Sequence, residues 1–160
     1  MTRIDFHSNI VDKLSFACRL TRKVVGAGHT LVLLTEDAAQ AASLDAALWT
    51  LSETDFLPHV MAGDALAAHT PIIIACIDSG DRDSDSDRDR DSDRDRGRAE
   101  LPQGDMLVNL TRRMPDSVDR FQRVFELVST DKDDAAAGRK RYLDYKKKSY
   151  PVEHFVAGAS

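Results

Sequence analysis

His29-Thr-Leu-Val-Leu-Leu34 runs directly into Thr35-Glu-Asp-Ala-Ala-Gln-Ala-Ala-Ser-Leu-Asp-Ala-Ala-Leu-Trp49. The first piece is a short, continuous apolar run, which suits a strand buried on both faces, as in a parallel sheet. The second piece changes period. Ala41, Leu44 and Leu48 recur at helical spacing and predict a helix with those side chains inward. A doubly buried strand feeding a helix is the repeating unit of an α/β fold.

The flanking sequence extends this pattern. Arg3-Ile-Asp-Phe-His7 alternates and predicts a first strand. Ser8 or Asn9 is placed to cap a helix whose Ile10, Leu14, Ala17, Thr21 and Val24 form one face, widened by Val11, Cys18 and Val25. Gly26 and Gly28 end it. Pro71-Ile-Ile-Ile-Ala-Cys-Ile77 and Met106-Leu-Val-Asn-Leu110 predict two more buried strands. Asp116 or Ser117 is expected to cap a helix carrying Val118, Phe121, Phe125 and Val128 on one side. A last helix is expected from about Asp133 to Tyr150, stopped by Pro151. The order predicts an open, mostly parallel sheet with helices on both faces, in one domain spanning residues 1–160.

One segment stands outside the plan. Residues 78–98 are a near-repeat of Asp, Ser and Arg with no apolar side chain to bury. Nothing there offsets the cost of ordering the chain, so a disordered insertion between two strands is expected. Its alternating Asp invites comparison with a calcium loop. The central Gly and terminal Glu of that pattern are missing, and the interleaved Arg would repel the ion.

Composition narrows the functional classes. The 160-residue chain is 42% hydrophobic with a formal net charge of −5, which argues against bulk attraction to nucleic acid. No apolar run approaches the roughly 18 residues of a membrane span. The start, Met1-Thr-Arg-Ile-Asp-Phe6, lacks the plan of a signal peptide. Cys18 and Cys76 in apolar surroundings suit reduced, buried thiols of a cytoplasmic protein. Gly26-Ala-Gly28 follows a helix and precedes a strand, the reverse of what a dinucleotide phosphate site requires. No P-loop is present, the five histidines show no paired metal spacing, and no acid, base or nucleophile set emerges. A binding protein without catalytic residues, cofactor or metal is the expectation.

Two surfaces could do the binding. On the last helix, Arg139, Tyr142 and Lys146 fall at i, i+3 and i+7, with Tyr145 and Lys148 flanking. A solvated basic helix end explains the lysines but not the tyrosines among them. Guanidinium and phenol together suit an acidic peptide ending in a hydrophobic residue. They also suit single-stranded nucleic acid, so a direct nucleic-acid-binding module is the alternative reading. The second surface is the aromatic pair Trp49 and Phe56, which fits either core packing or an interface.

Leu44-Asp-Ala-Ala-Leu-Trp49, Phe56-Leu-Pro-His59, Ala62-Gly63 and the pattern Arg139-x-Arg-Tyr142-x-x-Tyr145 together resemble the chi subunit family of bacterial DNA polymerase III holoenzyme. The resemblance implies a Rossmann-like fold without nucleotide chemistry and an accessory role in DNA replication. It implies two partners: the psi subunit, which tethers chi to the clamp loader, and the acidic C-terminal tail of single-stranded DNA-binding protein. DNA would be reached only indirectly, and no membrane is involved. It assigns Trp49 and Phe56, with the neighbouring Pro58, to psi. It assigns Arg139 and Tyr142, near an apolar Val128, to the tail, with Lys146 one turn along and Tyr145 beside them. The chain departs from the family where Ala135-Ala-Ala137 replaces a basic position and where Leu143 stands for a lysine.

Overall fold

The computed structural model describes residues 2–51, 59–61, 71–76, 105–115 and 118–157. The insertion at 78–98 and residues Phe56, Pro58, Asp116 and Ser117 lie outside the described residues. The described elements, in chain order, are β1 (Arg3–Ile10), α1 (Lys13–Gly26), β2 (Leu31–Thr35), α2 (Ala38–Leu51), β3 (His59–Met61), β4 (Ile72–Cys76), β5 (Met106–Asn109), a 3-10 turn (Val118–Arg120), β6 (Arg123–Ser129), α3 (Lys132–Lys147) and β7 (Val152–Val156).

The strands form one seven-stranded sheet in the order β3-β4-β2-β5-β6-β1-β7. Every pairing is parallel. The expected α/β class is therefore observed, with a sheet more uniformly parallel than predicted. Leu31, Leu33, Ile72, Ile74 and Val108 pack with Ala17, Leu44 and Leu48 beneath α1 and α2. Ile4, Phe6, Val124, Val128 and Tyr145 form the second core under α3. Helices thus cover both faces, and Ala41, Leu44 and Leu48 point inward as their spacing requires.

Several boundaries differ from the sequence reading. Ser8 and Asn9 do not cap a helix; β1 continues to Ile10 through a register shift between His7 and Ile10. Asn9 takes φ +62°, the left-handed region that Asn tolerates better than most side chains. Asp12 caps α1 instead, its carboxylate accepting from the Ser15 amide at 3.2 Å. Ile10 is still buried in the same core, so its apolar character served the strand rather than the helix. Gly28, at φ +94°, turns the chain from α1 into β2 as expected.

The largest correction concerns residues 118–128. The expected helix is a 3-10 turn followed by strand β6. Phe125 and Val128, read as one helical face, point to opposite faces of the sheet and join different cores. Val124 through Val128 are all buried, and a short strand buried on both faces can mimic helical spacing. β3 and β7 were not anticipated. α3 ends at Lys147, with Ser149 at φ +67° turning the chain before Pro151 and β7.

A buried polar cluster fixes α3 to the sheet. Glu126, in the middle of β6, is completely buried. Its Oε1 accepts from Arg141 Nε and from Asn109 Nδ2, each at 2.8 Å, and its Oε2 accepts from Tyr145 OH at 2.7 Å. Burial pushes the Glu126 carboxyl up, while Arg141 and the donors pull it back. Burial, reinforced by the Glu126 charge, pushes the Tyr145 phenol far up, keeping it a donor. Three donors, one from β5 and two from α3, thereby share the one carboxylate of β6.

Close approach of α3 to β6 needs Gly138. A Cβ at that position would lie 2.7 Å from Val128 Cγ2 and 2.9 Å from its Cγ1. Gly138→Ala should therefore destabilise the domain by about 1–3 kcal/mol in urea unfolding, since overpacking outweighs the helix propensity gained. Arg141→Leu should cost more, about 3–5 kcal/mol, because it strands a buried carboxylate. Equal midpoints for wild type and either variant would contradict this packing.

Candidate binding surfaces

α3 starts where Asp131 accepts from the Asp134 amide at 3.1 Å, and it lies along β6 and β1. Its buried positions, Asp134, Gly138, Arg141 and Tyr145, face the sheet. That orientation turns Arg139 and Lys146 into solvent and leaves Tyr142 half-buried between them and the sheet. The Tyr142 ring is edge-on to Phe6 at 5.3 Å and to His154 at 6.2 Å. Lys146 Nζ sits 5.6 Å from the Tyr142 ring centroid, a cation over a π-face.

β7 supplies the other side of this surface. Val152, His154 and Val156 share a face with Ile4, Phe6 and Ser8 of β1, as their register shows. His154 is held by a 2.7 Å hydrogen bond between its Nε2 and Ser8 Oγ. Two residues on, Val156 is 50% exposed. Along the flank of α3, exposed cations therefore lie beside the Tyr142 and His154 rings, with exposed Val156 further along the edge strand. Leu143, 60% exposed, adds an apolar side chain where a cation was missing.

Arg139 differs from the other arginines of this face and its surroundings. Arg112 pairs with Asp131, Arg123 with Asp5, and Arg141 with Glu126. Among the described residues Arg139 meets no carboxylate. An exposed guanidinium left over beside an aromatic ring can grip a carboxylate with two parallel bonds.

Not every residue singled out from sequence belongs to this surface. Tyr145 does not: it is fully buried, its hydroxyl spent on Glu126. The i, i+3 arithmetic places Tyr142 with Arg139 but puts Tyr145 toward the sheet. Val128 is also buried, packed beneath Gly138 of α3. His154 and Val156 were missed because β7 itself was missed; Val152-Glu-His-Phe-Val156 shows no alternation that would mark a strand.

The second surface is at the far end of the sheet. Trp49, in the last turn of α2, is 53% exposed. Its ring lies 4.8 Å from that of His59 in β3. His59 Nε2 is 3.0 Å from Asp45 Oδ1, one helical turn before Trp49. His59 is thus a buried support beneath the half-exposed indole. Phe56 and Pro58 fall outside the described residues.

The strand ends, where open α/β sheets usually take a ligand, are filled by the chain's own charges. Asp12, Asp37 and Asp131 each accept from a first-turn amide of α1, α2 and α3. A phosphate at these helix N-termini would meet a carboxylate already in place. Between β2 and β5, Glu36 accepts from the Arg112 amide at 2.9 Å. Nearby, Lys13 Nζ donates to Leu110 O at 2.7 Å and contacts Asp134 at 3.1 Å. Burial lowers the Lys13 ammonium pKa, with Asp134 opposing. Burial would raise the Asp134 carboxyl, but the Ser129 amide and Lys13 more than reverse this and hold it low.

Comparison with known proteins gives a consistent result. Residues 1–153 match the sequence profile described as DNA polymerase III chi subunit, HolC. The DNA polymerase III subunit chi of Pseudomonas aeruginosa is 30% identical over 160 residues, covering 96% of this chain and 95% of the relative. That of Haemophilus influenzae is 28% identical over 126 residues, covering 79% and 74%. With an α/β sheet flanked by helices and a match spanning almost its whole length, the chain belongs to the DNA polymerase III chi subunit family, accessory subunits of the replicative polymerase.

Proposed function

We propose that this subunit is a non-catalytic adaptor in the cytoplasm. One surface binds the acidic C-terminal tail of single-stranded DNA-binding protein; the other binds psi and, through it, the clamp loader. The observation that carries the reading is the exposed Arg139, without a carboxylate among the described residues, beside a Tyr142 ring fixed by Phe6 and His154. The tail's acids and terminal carboxylate suit Arg139 and Lys146. Its terminal aromatic ring suits the apolar wall of Tyr142 with Val156 beyond it. The half-exposed indole of Trp49 supports the psi assignment, because a large aromatic that keeps about half of its surface exposed is a typical interface anchor. The family assigns Phe56 to the same contact, with Pro58 next to it.

A peptide of the form acidic–Pro–Phe–carboxylate, titrated and followed by NMR, tests the first half. Shifts should centre on Arg139, Tyr142, Lys146 and His154, and affinity should fall steeply with salt because the cations are exposed. Arg139→Ala should weaken binding by about 1.5–3 kcal/mol, the usual value for a charged hydrogen bond. A loss of only a few tenths would move the site elsewhere. Trp49→Ala should leave tail affinity unchanged and weaken psi binding by about 2 kcal/mol or more, as for an interface anchor. Retention of full psi affinity by folded Trp49→Ala would remove that half of the reading.

A further inference from the structure

The sheet face turned away from α3 is open along β1 and β7, and it carries a row of rings. His7 is stacked on Phe155, with centroids 5.0 Å apart and planes at 18°. On its other side His7 lies 5.3 Å from Phe16 of α1. Phe155 keeps 39% of its surface exposed. Burial holds the His7 pKa below its usual value, with Arg123, His154 and Lys23 adding to the effect and Asp5 opposing it.

Cations border the rings. Arg19 lies 5.8 Å from the Phe16 centroid, and exposed Lys23 is one turn further on the same flank of α1. On the sheet, Arg123 is held over Phe125 at 5.1 Å by the fully buried Asp5, whose Oδ2 is 2.6 Å from Arg123 Nη2. Asp5 and Glu153 also hold Arg3 beside it. Burying a carboxylate completely to position two surface guanidiniums is costly, and packing alone gives no reason for it.

We infer that this face binds single-stranded nucleic acid, with a base stacking on the exposed Phe155 ring that His7 and Phe16 support from behind, and phosphates meeting Arg19 and Lys23. An apolar partner would leave those cations unpaired, and an acidic peptide would leave the parallel rings unused. A single strand supplies both a series of π-faces and a regularly charged backbone. A duplex would not fit, since its bases are already stacked on each other. The site is on the opposite face of the sheet from Tyr142, so it stands or falls separately from the proposed tail site.

The test is fluorescence anisotropy of labelled oligo(dT) with the full chain at low salt, followed by salt titration. Wild type should bind. Phe155→Ala should weaken binding about tenfold, the loss of roughly one stacked base. Arg19→Glu with Lys23→Glu should also weaken it and flatten its salt dependence. Arg139→Ala should bind as wild type does. Phe155→Trp preserves the ring, and oligo(dT) should quench the added indole fluorescence; this arm decides if Phe155→Ala fails to fold. The inference is overturned if wild type ignores oligo(dT), if folded Phe155→Ala binds equally well, if the new indole is not quenched, or if Arg139→Ala is the variant that loses binding.

Discussion

A single carboxylate organises the half of the molecule that faces α3. Glu126 is buried in the middle of β6, and its bonds to Asn109, Arg141 and Tyr145 reach one neighbouring strand and two successive turns of the helix. Helix orientation in a protein is usually set by diffuse apolar packing, which tolerates rotation by a few tens of degrees. A charge without water tolerates much less, because any slip leaves it uncompensated at a cost of several kcal/mol. Arg141 and Tyr145 are four residues apart, so both can reach the same carboxylate only at one rotation of the helix about its axis. That rotation fixes what the far side of the helix shows.

The exposed ridge follows from this. With Arg141 and Tyr145 committed inward, Arg139, Tyr142 and Lys146 must lie on the outer flank. Gly138 then lets the helix sit low enough for Tyr142 to touch Phe6 and His154. The result is a set of packed aromatic rings with exposed cations beside it, which presents charged and apolar groups together. The strand ends offer no comparable opening among the described residues. There the chain has used its own carboxylates on its own helix N-termini. The two candidate surfaces are on the flanks of the sheet instead.

Much of this architecture could be read from the residues. Leu31–Leu34 announces a doubly buried strand, and Ala41, Leu44 and Leu48 announce the helix after it. β6 could not be recognised, because Val118, Phe121, Phe125 and Val128 happen to fit a helical period while serving a turn and a strand. β7 lies at the sheet edge with mostly exposed side chains, so burial left little pattern in it. β3 has three residues, too few for any periodicity. The site was legible as a list and not as a surface. Spacing put Arg139, Tyr142 and Lys146 on one flank and Tyr145 on another, but the buried partner that holds Tyr145 inward was hidden, since Glu126 was read as part of a helix.

The order of strands has a mechanical consequence. Trp49 leans on His59 of β3, while Tyr142 leans on His154 of β7, and these are the two outermost strands of the sheet. Six inter-strand steps of about 4.8 Å separate them, roughly 29 Å. The domain is therefore a strut with an aromatic fitting at each end. Molecules gripping opposite ends would be held a fixed distance apart by hydrogen-bonded backbone, without crowding each other and without any change of shape between them.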